Sequence, residues 1–164
     1  AGFDKLYVEG SQELTVSEGE QKNVILYCKP ANVKVSVVYT EDFLKYYSDC
    51  TVSLSTSHLT APFEVNMKKD SGKDAYLKAN ADGEKVSITV GGFRDKEGNP
   101  VVMEALVAEK KVAPKTHLTI TVDPEVITIS TGTASLDVTV DTGTEDKDVN
   151  IEIPEEYWPG NASK

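Results

Sequence analysis

The amino-acid sequence predicts an all-β protein built as an antiparallel β-sandwich. The main observation is that apolar residues alternate with Thr, Ser, Asp and Glu, as in Leu118-Thr-Ile-Thr-Val122 and Leu136-Asp-Val-Thr-Val140. This period of two places one set of side chains on each face of a strand, so such strands cover a core on one side only. Turn signals such as Asn80-Ala-Asp-Gly83 separate the strands at short intervals. Together these patterns favour sandwich modules of the immunoglobulin or transthyretin-like type.

The N-terminal residues 1–29 are expected to form an incomplete β unit. Strand patterns occur near residues 6–9, 13–16 and 24–28, and the last of these is apolar on both faces, as in a central strand. Such a strand needs sheet partners that this short piece does not supply. It is either the remainder of an upstream module or is completed by the C-terminal strands, and strand addition from another chain is the alternative.

Two prolines set the remaining boundaries, because proline cannot donate to a β-ladder. Between Pro30 and Pro124, residues 30–123 are predicted to form one β-sandwich module. Within it, Thr40-Glu-Asp-Phe-Leu-Lys-Tyr-Tyr has an N-cap residue, two early acids and apolar residues at helical spacing, which predicts one short helix near residues 41–48. Residues 124–154 are predicted to hold the C-terminal strands, and residues 155–164 a linker or tail.

The charge of the chain argues against a nucleic-acid partner. The formal net charge is −10 over 164 residues, and no block of Lys and Arg interrupts it. An acidic surface repels phosphate backbones. No apolar run approaches the length of a transmembrane helix, so no transmembrane segment is expected in this chain.

Cys28 and Cys50 are the two cysteines, and each lies at the edge of an apolar strand pattern. No histidine is near them at zinc-ligand spacing. They form a disulfide if their strands meet, or they remain two free thiols packed as small apolar groups.

Catalytic residues and cofactors are not predicted. The sequence has no Gly-x-Ser-x-Gly turn, and His58 and His117 each stand apart from other chemistry-bearing residues. His117 falls on the polar phase of its strand, and both histidines are interpreted as solvated surface residues. The protein is therefore expected not to be an enzyme.

One acidic segment is a candidate metal site. The segment from Asp141 to Asp148 places Asp141, Glu145, Asp146 and Asp148 in one loop, and Ca²⁺ binds six to eight oxygens. The spacing does not match an EF-hand loop. An acidic hairpin tip that keeps a sheet edge soluble accounts for the same residues.

Three aromatic residues are candidates for binding a glycan or a protein partner: Tyr46, Tyr47 and Trp158. Aromatic rings can be platforms for sugars, but aromatic residues at helical spacing also form the lid of a core. Trp158 lies beyond the last strand pattern, where a linker or a following module is the other interpretation.

Several segments resemble a family of tandem β-modules in Bacteroidetes surface lipoproteins, which is similar to the fimbrillin-like proteins of pili. The resemblance rests on the order and spacing of Tyr7-Val-Glu-Gly-Ser-Gln-Glu-Leu-Thr-Val16, Cys28-Lys-Pro-Ala-Asn-Val-Lys-Val35 and the segment from Tyr39 to Asp49. Tyr157-Trp-Pro-Gly-Asn161 resembles the start of a further module. The N-terminal signal and lipidated cysteine of such proteins are absent here.

The resemblance implies a piece of a longer lipoprotein at the cell surface, anchored in the outer membrane through a missing N-terminal lipidated segment. It implies a structural or adhesive role, with other surface modules, pilus subunits, or a host or glycan ligand as partners. The alternatives are a glycan-binding β-sandwich of a polysaccharide-utilisation system and, in the enzyme class, a hydrolase accessory domain or a metal-dependent enzyme.

Overall fold

A computed structural model describes residues 1–3, 5, 7–133 and 149–152. In these residues the chain forms the following strands: β1 Gly2–Phe3, β2 Val8–Glu9, β3 Lys29–Pro30, β4 Asn32–Tyr39, β5 Tyr47–Ser55, β6 Phe63–Asn66, β7 Ala75–Lys78, β8 Glu84–Asp95, β9 Leu106–Val112, β10 Thr116–Val122, β11 Val126–Thr133 and β12 Val149–Glu152. Two short helices, α1 (Glu41–Tyr46) and α2 (Met67–Asp70), complete the described elements. Strands make up 50% and helices 8%, against roughly 20–25% strand in ordinary soluble domains, which confirms the all-β prediction.

The strands form two main sheets. One has six strands in the order β1-β7-β4-β10-β11-β12, and the other has four in the order β6-β5-β8-β9. A separate two-stranded ladder joins β2 and β3. The six-stranded sheet thus takes strands from all three predicted β segments of the chain.

The core lies between the two main sheets and consists of the inward phase of each alternating strand. The fully buried members from the six-stranded sheet include Val33, Val35, Leu118, Ile120 and Ile129, and they face Val52, Leu54, Ile88 and Val90 of the four-stranded sheet. The intervening residues of β4 and β10 point away from the core. The sequence alternation therefore correctly divides the strands into an inner and an outer face.

One strand pair departs from the antiparallel pattern. β4 and β10 run parallel, with Lys34 opposite His117 and Tyr39 opposite Val122. The other strand pairs in the described residues are antiparallel. A parallel pair needs a long crossover, and here the whole four-stranded sheet is part of that connection.

Helix α1 lies within the predicted range. The Thr40 hydroxyl accepts from the Phe43 N–H at 3.1 Å and donates to Asp123 at 2.8 Å, so the N-cap also attaches the helix to the end of β10. Phe43 is buried and stacks on Tyr47, with ring centroids 4.7 Å apart, and Phe93 lies against both rings. The helix thereby closes one end of the sandwich.

Helix α2 was not predicted from the sequence. The Asn66 side chain accepts from the N–H groups of Lys68 and Lys69, both at 3.1 Å, and so caps a single turn at the end of β6. A four-residue helix buries no residue of its own and therefore lacks the apolar periodicity that identifies longer helices.

The structure of the N-terminal segment differs from the prediction. The chain forms β2 near the expected position, but residues 13–16 and 24–28 are not strands. The C-terminal strand β11 pairs with β10 and β12, and not with this segment. β7 and β10 pair with the two sides of β4, so residues 24–28 cannot pair with β4, the nearest long strand along the chain.

Candidate functional site

The segment that projects from the sandwich is called the arm here and consists of residues 10–28. It leaves β2 and returns in β3, and a turn with Gly19 at φ +77° reverses it. At its base the two legs lie close together, because a Cβ on Gly10 would lie 2.6 Å from the Tyr27 carbonyl oxygen. Glycine at this position therefore permits the close approach of the legs.

The arm exposes apolar side chains that resemble those of the core. Its exposed members are Leu14, Val16, Val24, Ile25, Leu26 and Tyr27. Ile25 is 68% and Tyr27 78% exposed, whereas the apolar residues of the inner strands are almost fully buried. An exposed apolar patch of this kind marks an interaction surface more often than scattered single residues do.

The arm backbone is also largely unpaired. Within it, one backbone hydrogen bond is present, from the Glu20 N–H to the Ser17 carbonyl at 3.0 Å, and no ladder joins its legs. The Lys22 ammonium donates to the Thr15 carbonyl at 2.7 Å. The Ser17 N–H donates to the Glu20 carboxylate at 3.2 Å. Most of the other N–H and C=O groups of the arm are available to a sheet edge.

A polar cluster lies on the outer face of the six-stranded sheet and is made by Lys34, Ser36, Asp74 and His117. Ser36 Oγ donates to Asp74 Oδ1 and lies 2.7 Å from His117 Nε2. The other carboxylate oxygen of Asp74 lies 2.8 Å from the Lys34 ammonium. The cluster ties together β4, β10 and the residue that precedes β7.

The hydrogen-bond directions in this cluster oppose nucleophilic catalysis. Because the single hydroxyl proton of Ser36 goes to Asp74, His117 Nε2 donates to Ser36 and does not accept its proton. In a Ser-His-Asp triad the histidine lies between the other two groups, but here the serine does. The strands β4 and β10 are each paired on both sides, which engages backbone N–H groups that an oxyanion would need. The arrangement is a structural polar network on a sheet face.

Titration of the cluster follows from its surroundings. Burial raises the pKa of the Asp74 carboxyl, but the Lys34 ammonium and the Ser36 hydroxyl outweigh burial and hold that pKa below its usual range. Burial, assisted by the Lys34 charge, lowers the pKa of His117. Near neutral pH the histidine is therefore held in its uncharged form.

His58 belongs to a second polar network. The Glu84 carboxylate is buried at the start of β8 and accepts from the Ser57 N–H at 2.8 Å and from Asn80 Nδ2 at 2.9 Å. His58 Nε2 lies 3.4 Å from the same carboxylate and 3.1 Å from Asn80 Oδ1. These bonds fasten the loop after β5 to the turn before β8, which is a structural role.

The predicted aromatic candidates lie in different environments. Tyr46 is 47% exposed on α1, whereas Tyr47 is buried beside Phe43 and offers no ring face to a ligand in this structure. Trp158 lies outside the described residues. Within the described residues, Tyr46 and Tyr47 therefore do not present a shared ring surface to a sugar.

Both cysteines are free thiols in the structure. Cys28 is exposed at the base of the arm, and Cys50 is buried in β5. Burial raises the pKa of the Cys50 thiol to about 12 and raises the pKa of the neighbouring Tyr39 hydroxyl as well. The two thiols therefore differ strongly in reactivity.

The calcium candidates Asp141, Glu145, Asp146 and Asp148 lie outside the described residues. Among the residues that are described, no three His, Cys, Asp or Glu side chains converge on a point where a metal ion could bind. In the same part of the chain, no helix is long and apolar enough to span a membrane.

Sequence reasoning identified neither the cluster around Ser36 nor the exposure of the arm. Ser36 lies 38 residues from Asp74 and 81 from His117, and no local pattern links residues at such separations. The available signal was the strand phase, which places both Ser36 and His117 on the polar side of strands. It does not reveal that β4 and β10 are neighbours.

Among curated proteins and among solved structures, nothing matches this chain. A family model does match, over residues 1–155, and it covers the arm and both sheets. That family is described as a domain of unknown function. The chain belongs to the DUF4493 family.

Proposed function

We propose that this chain is a non-enzymatic structural or adhesive module that joins neighbouring β modules through its arm. The observation that supports the proposal is the coincidence, in one segment, of exposed apolar side chains and an unpaired backbone. A sheet edge can pair with the unpaired backbone groups of the arm and also cover its apolar side chains. In strand addition the backbone joins the ladder, and alternate side chains pack on the surface of the sheet. The resemblance to surface lipoproteins makes the surface of a bacterial cell the proposed location.

The proposed partner of the arm is the open edge strand of another module, and β9 of a second copy has matching features. β9 is the outermost strand of its sheet, and Val107 on it is 62% exposed. On β9, Glu109 is paired with Lys85 of β8 and Lys111 is exposed, whereas the arm carries Glu13, Glu18 and Glu20 against the single Lys22. These opposite charges favour contact between an arm and the edge of β9.

The absence of a catalytic role is part of the same proposal. It is supported by the hydrogen-bond directions around Ser36, where His117 is a donor, and by the hydrogen bond of the His58 ring to Asn80 beside Glu84. Neither histidine is placed to activate a nucleophile.

Analytical ultracentrifugation combined with hydrogen exchange tests the assembly role. As the concentration of the full chain rises from micromolar to submillimolar, we expect it to associate and the arm amides to become protected. The double substitution Ile25→Ser and Tyr27→Ser should weaken association at least about tenfold, because apolar burial of this size contributes more than about 1.4 kcal/mol.

The control is Leu44→Ser, which removes an exposed apolar side chain from α1, outside the arm, and should leave association unchanged. A chain that stays monomeric at every concentration, with arm amides exchanging as in an unfolded peptide, would contradict the assembly role. Equal weakening by the control would show that general stickiness, and not the arm, drives association.

A further inference from the structure

A pocket of about 270 Å³ opens on the outer face of the six-stranded sheet, beside the base of the arm. It is lined by Ala1, Lys5, Tyr7, Asn32, Tyr76 and Lys78. Sites for drug-sized ligands span roughly 300–1,000 Å³, so this pocket suits a ligand of about one ring.

The walls of the pocket are fixed by the fold. Tyr76 and Lys78 are two residues apart on β7 and project from the same face, with Lys78 opposite Asn32 in the ladder. The Tyr7 N–H donates to Asn32 Oδ1, and the Tyr7 carbonyl accepts from the Ala31 N–H at 2.9 Å. Tyr7 is therefore held in place by its backbone although its side chain is 46% exposed.

The charge of the pocket is opposite to that of the whole chain. Lys5 and Lys78 line it, and within the described residues neither makes a salt bridge with a carboxylate. The Lys78 ammonium lies 5.2 Å from the centroid of the Tyr7 ring, in a cation–π contact. The net charge of −10 repels anions from the protein as a whole, but the two lysines make this pocket locally cationic, so it attracts anions.

The combination of rings and ammonium groups indicates the class of ligand. Tyrosine rings offer apolar faces to the C–H face of a sugar, and their hydroxyl groups remain able to hydrogen-bond. A lysine binds a carboxylate as a point charge. A small inorganic anion would make no use of the apolar ring surface, and a neutral sugar would supply no counter-charge for the two ammonium groups.

We propose that this pocket binds a uronic-acid unit of an acidic glycan, with its carboxylate at Lys78 and Lys5 and its ring against Tyr7 and Tyr76. This pocket is a candidate glycan-binding site made by residues other than Tyr46, Tyr47 and Trp158, the candidates suggested by the sequence. It does not depend on the assembly role of the arm, because none of the arm residues lines it.

An NMR titration of the full chain with tetragalacturonate tests the site, and the fully methyl-esterified tetramer is the matched neutral probe. We expect shift changes centred on Tyr7, Tyr76 and Lys78, and at least a tenfold weaker response to the ester. Lys78→Met keeps the aliphatic stem but removes the charge, and it should weaken binding at least tenfold. Tyr7→Ala should weaken binding several-fold because it removes the ring.

Lys96→Met, at an exposed position on a distant turn, is the control and should bind as the unaltered chain does. Equal affinity for poly-glutamate would overturn the proposal in favour of an acidic peptide. Equal shifts with inorganic phosphate would show that the pocket binds small anions in general and would also overturn the proposal. No response at millimolar tetragalacturonate, or an unchanged response in Lys78→Met with the fold intact by circular dichroism, would contradict it directly.

Discussion

The arm and the strand β5 have similar apolar content but opposite surroundings. In β5, Cys50, Val52 and Leu54 are fully buried between the sheets, whereas in the arm Ile25 and Tyr27 are largely exposed. The apolar content of a segment therefore determines whether burial would stabilise it. The arrangement of the strands determines whether that segment is buried within one chain. Under the proposed function, the arm is the part of the described fold that a partner would cover.

The sharpest way to test this contrast is to compare the two thiols. Cys28 is exposed in the arm, while Cys50 is buried with its pKa raised to about 12. Since the thiolate is the reactive form, an aromatic disulfide reagent should label one thiol per native chain and two after denaturation. We expect Cys28 to react at least about a thousandfold faster, because Cys50 requires opening of the core. Comparable rates would contradict the placement of Cys50.

The next largest effect is expected for the aromatic lid of the core. Phe43→Ala removes a fully buried ring that packs on Tyr47 and Phe93. It should lower the free energy of unfolding by about 3–5 kcal/mol, measured by urea denaturation. Leu26→Ala in the arm of the monomer should change the free energy of unfolding by less than about 0.5 kcal/mol. A loss of several kcal/mol in Leu26→Ala would show that the arm is packed.

A smaller effect is expected when the second polar network is broken. Glu84→Ala removes the buried carboxylate that accepts from the Ser57 N–H and the Asn80 amide. The expected loss is about 1–3 kcal/mol in the free energy of unfolding. Glu13→Ala in the arm is the comparison and should be neutral. If Glu84→Ala is equally neutral, the buried carboxylate does not fasten the loop.

The smallest effect concerns acid sensitivity of the outer face. The pKa values of His117 and Asp74 are both lowered in the fold, so the folded state binds protons less tightly than the unfolded state. Each contribution to stability is present at neutral pH and is lost as pH falls, below about 6.5 for His117 and below about 3.9 for Asp74.

Chemical denaturation at about pH 7.5 and about pH 5 isolates the histidine. Between these values the unaltered chain should lose a few tenths to about 1 kcal/mol more than His117→Gln does, since the group is only partly buried. An identical pH dependence in the two proteins would show that the pKa of His117 is the same in the folded and unfolded states, because the opposing effects of Lys34 and Asp74 cancel.

Much of the fold follows from local pattern. Alternation assigns β4, β5, β8 and β10 to strands because the period of two is set by backbone geometry. The Thr40 cap and the spacing of Phe43 and Tyr47 indicate α1 in the same way. These features depend on neighbours within a few residues, so a single sequence contains them.

The remaining features depend on which strands meet. The parallel pairing of β4 with β10, the cluster of Ser36 with Asp74 and His117, and the pocket beside Tyr7 all join residues that are distant in sequence. Residues 24–28 have a strand-like composition, but whether an edge is free for them is decided by β7 and β10. No property of the segment itself carries that information.

The β4–β10 pairing also sets the order in which the chain becomes structured. The ladder at the centre of the six-stranded sheet opposes Lys34 to His117, so it cannot close until the strand carrying His117 has been synthesised. At roughly 5–20 residues per second, the last arm residue precedes His117 by roughly 5–20 s during translation. Throughout that interval the apolar arm is present while the sheet beside it is still open. The nascent chain therefore exposes its apolar arm before the central β4–β10 ladder can form, which makes synthesis a period when mispairing between neighbouring chains is favoured.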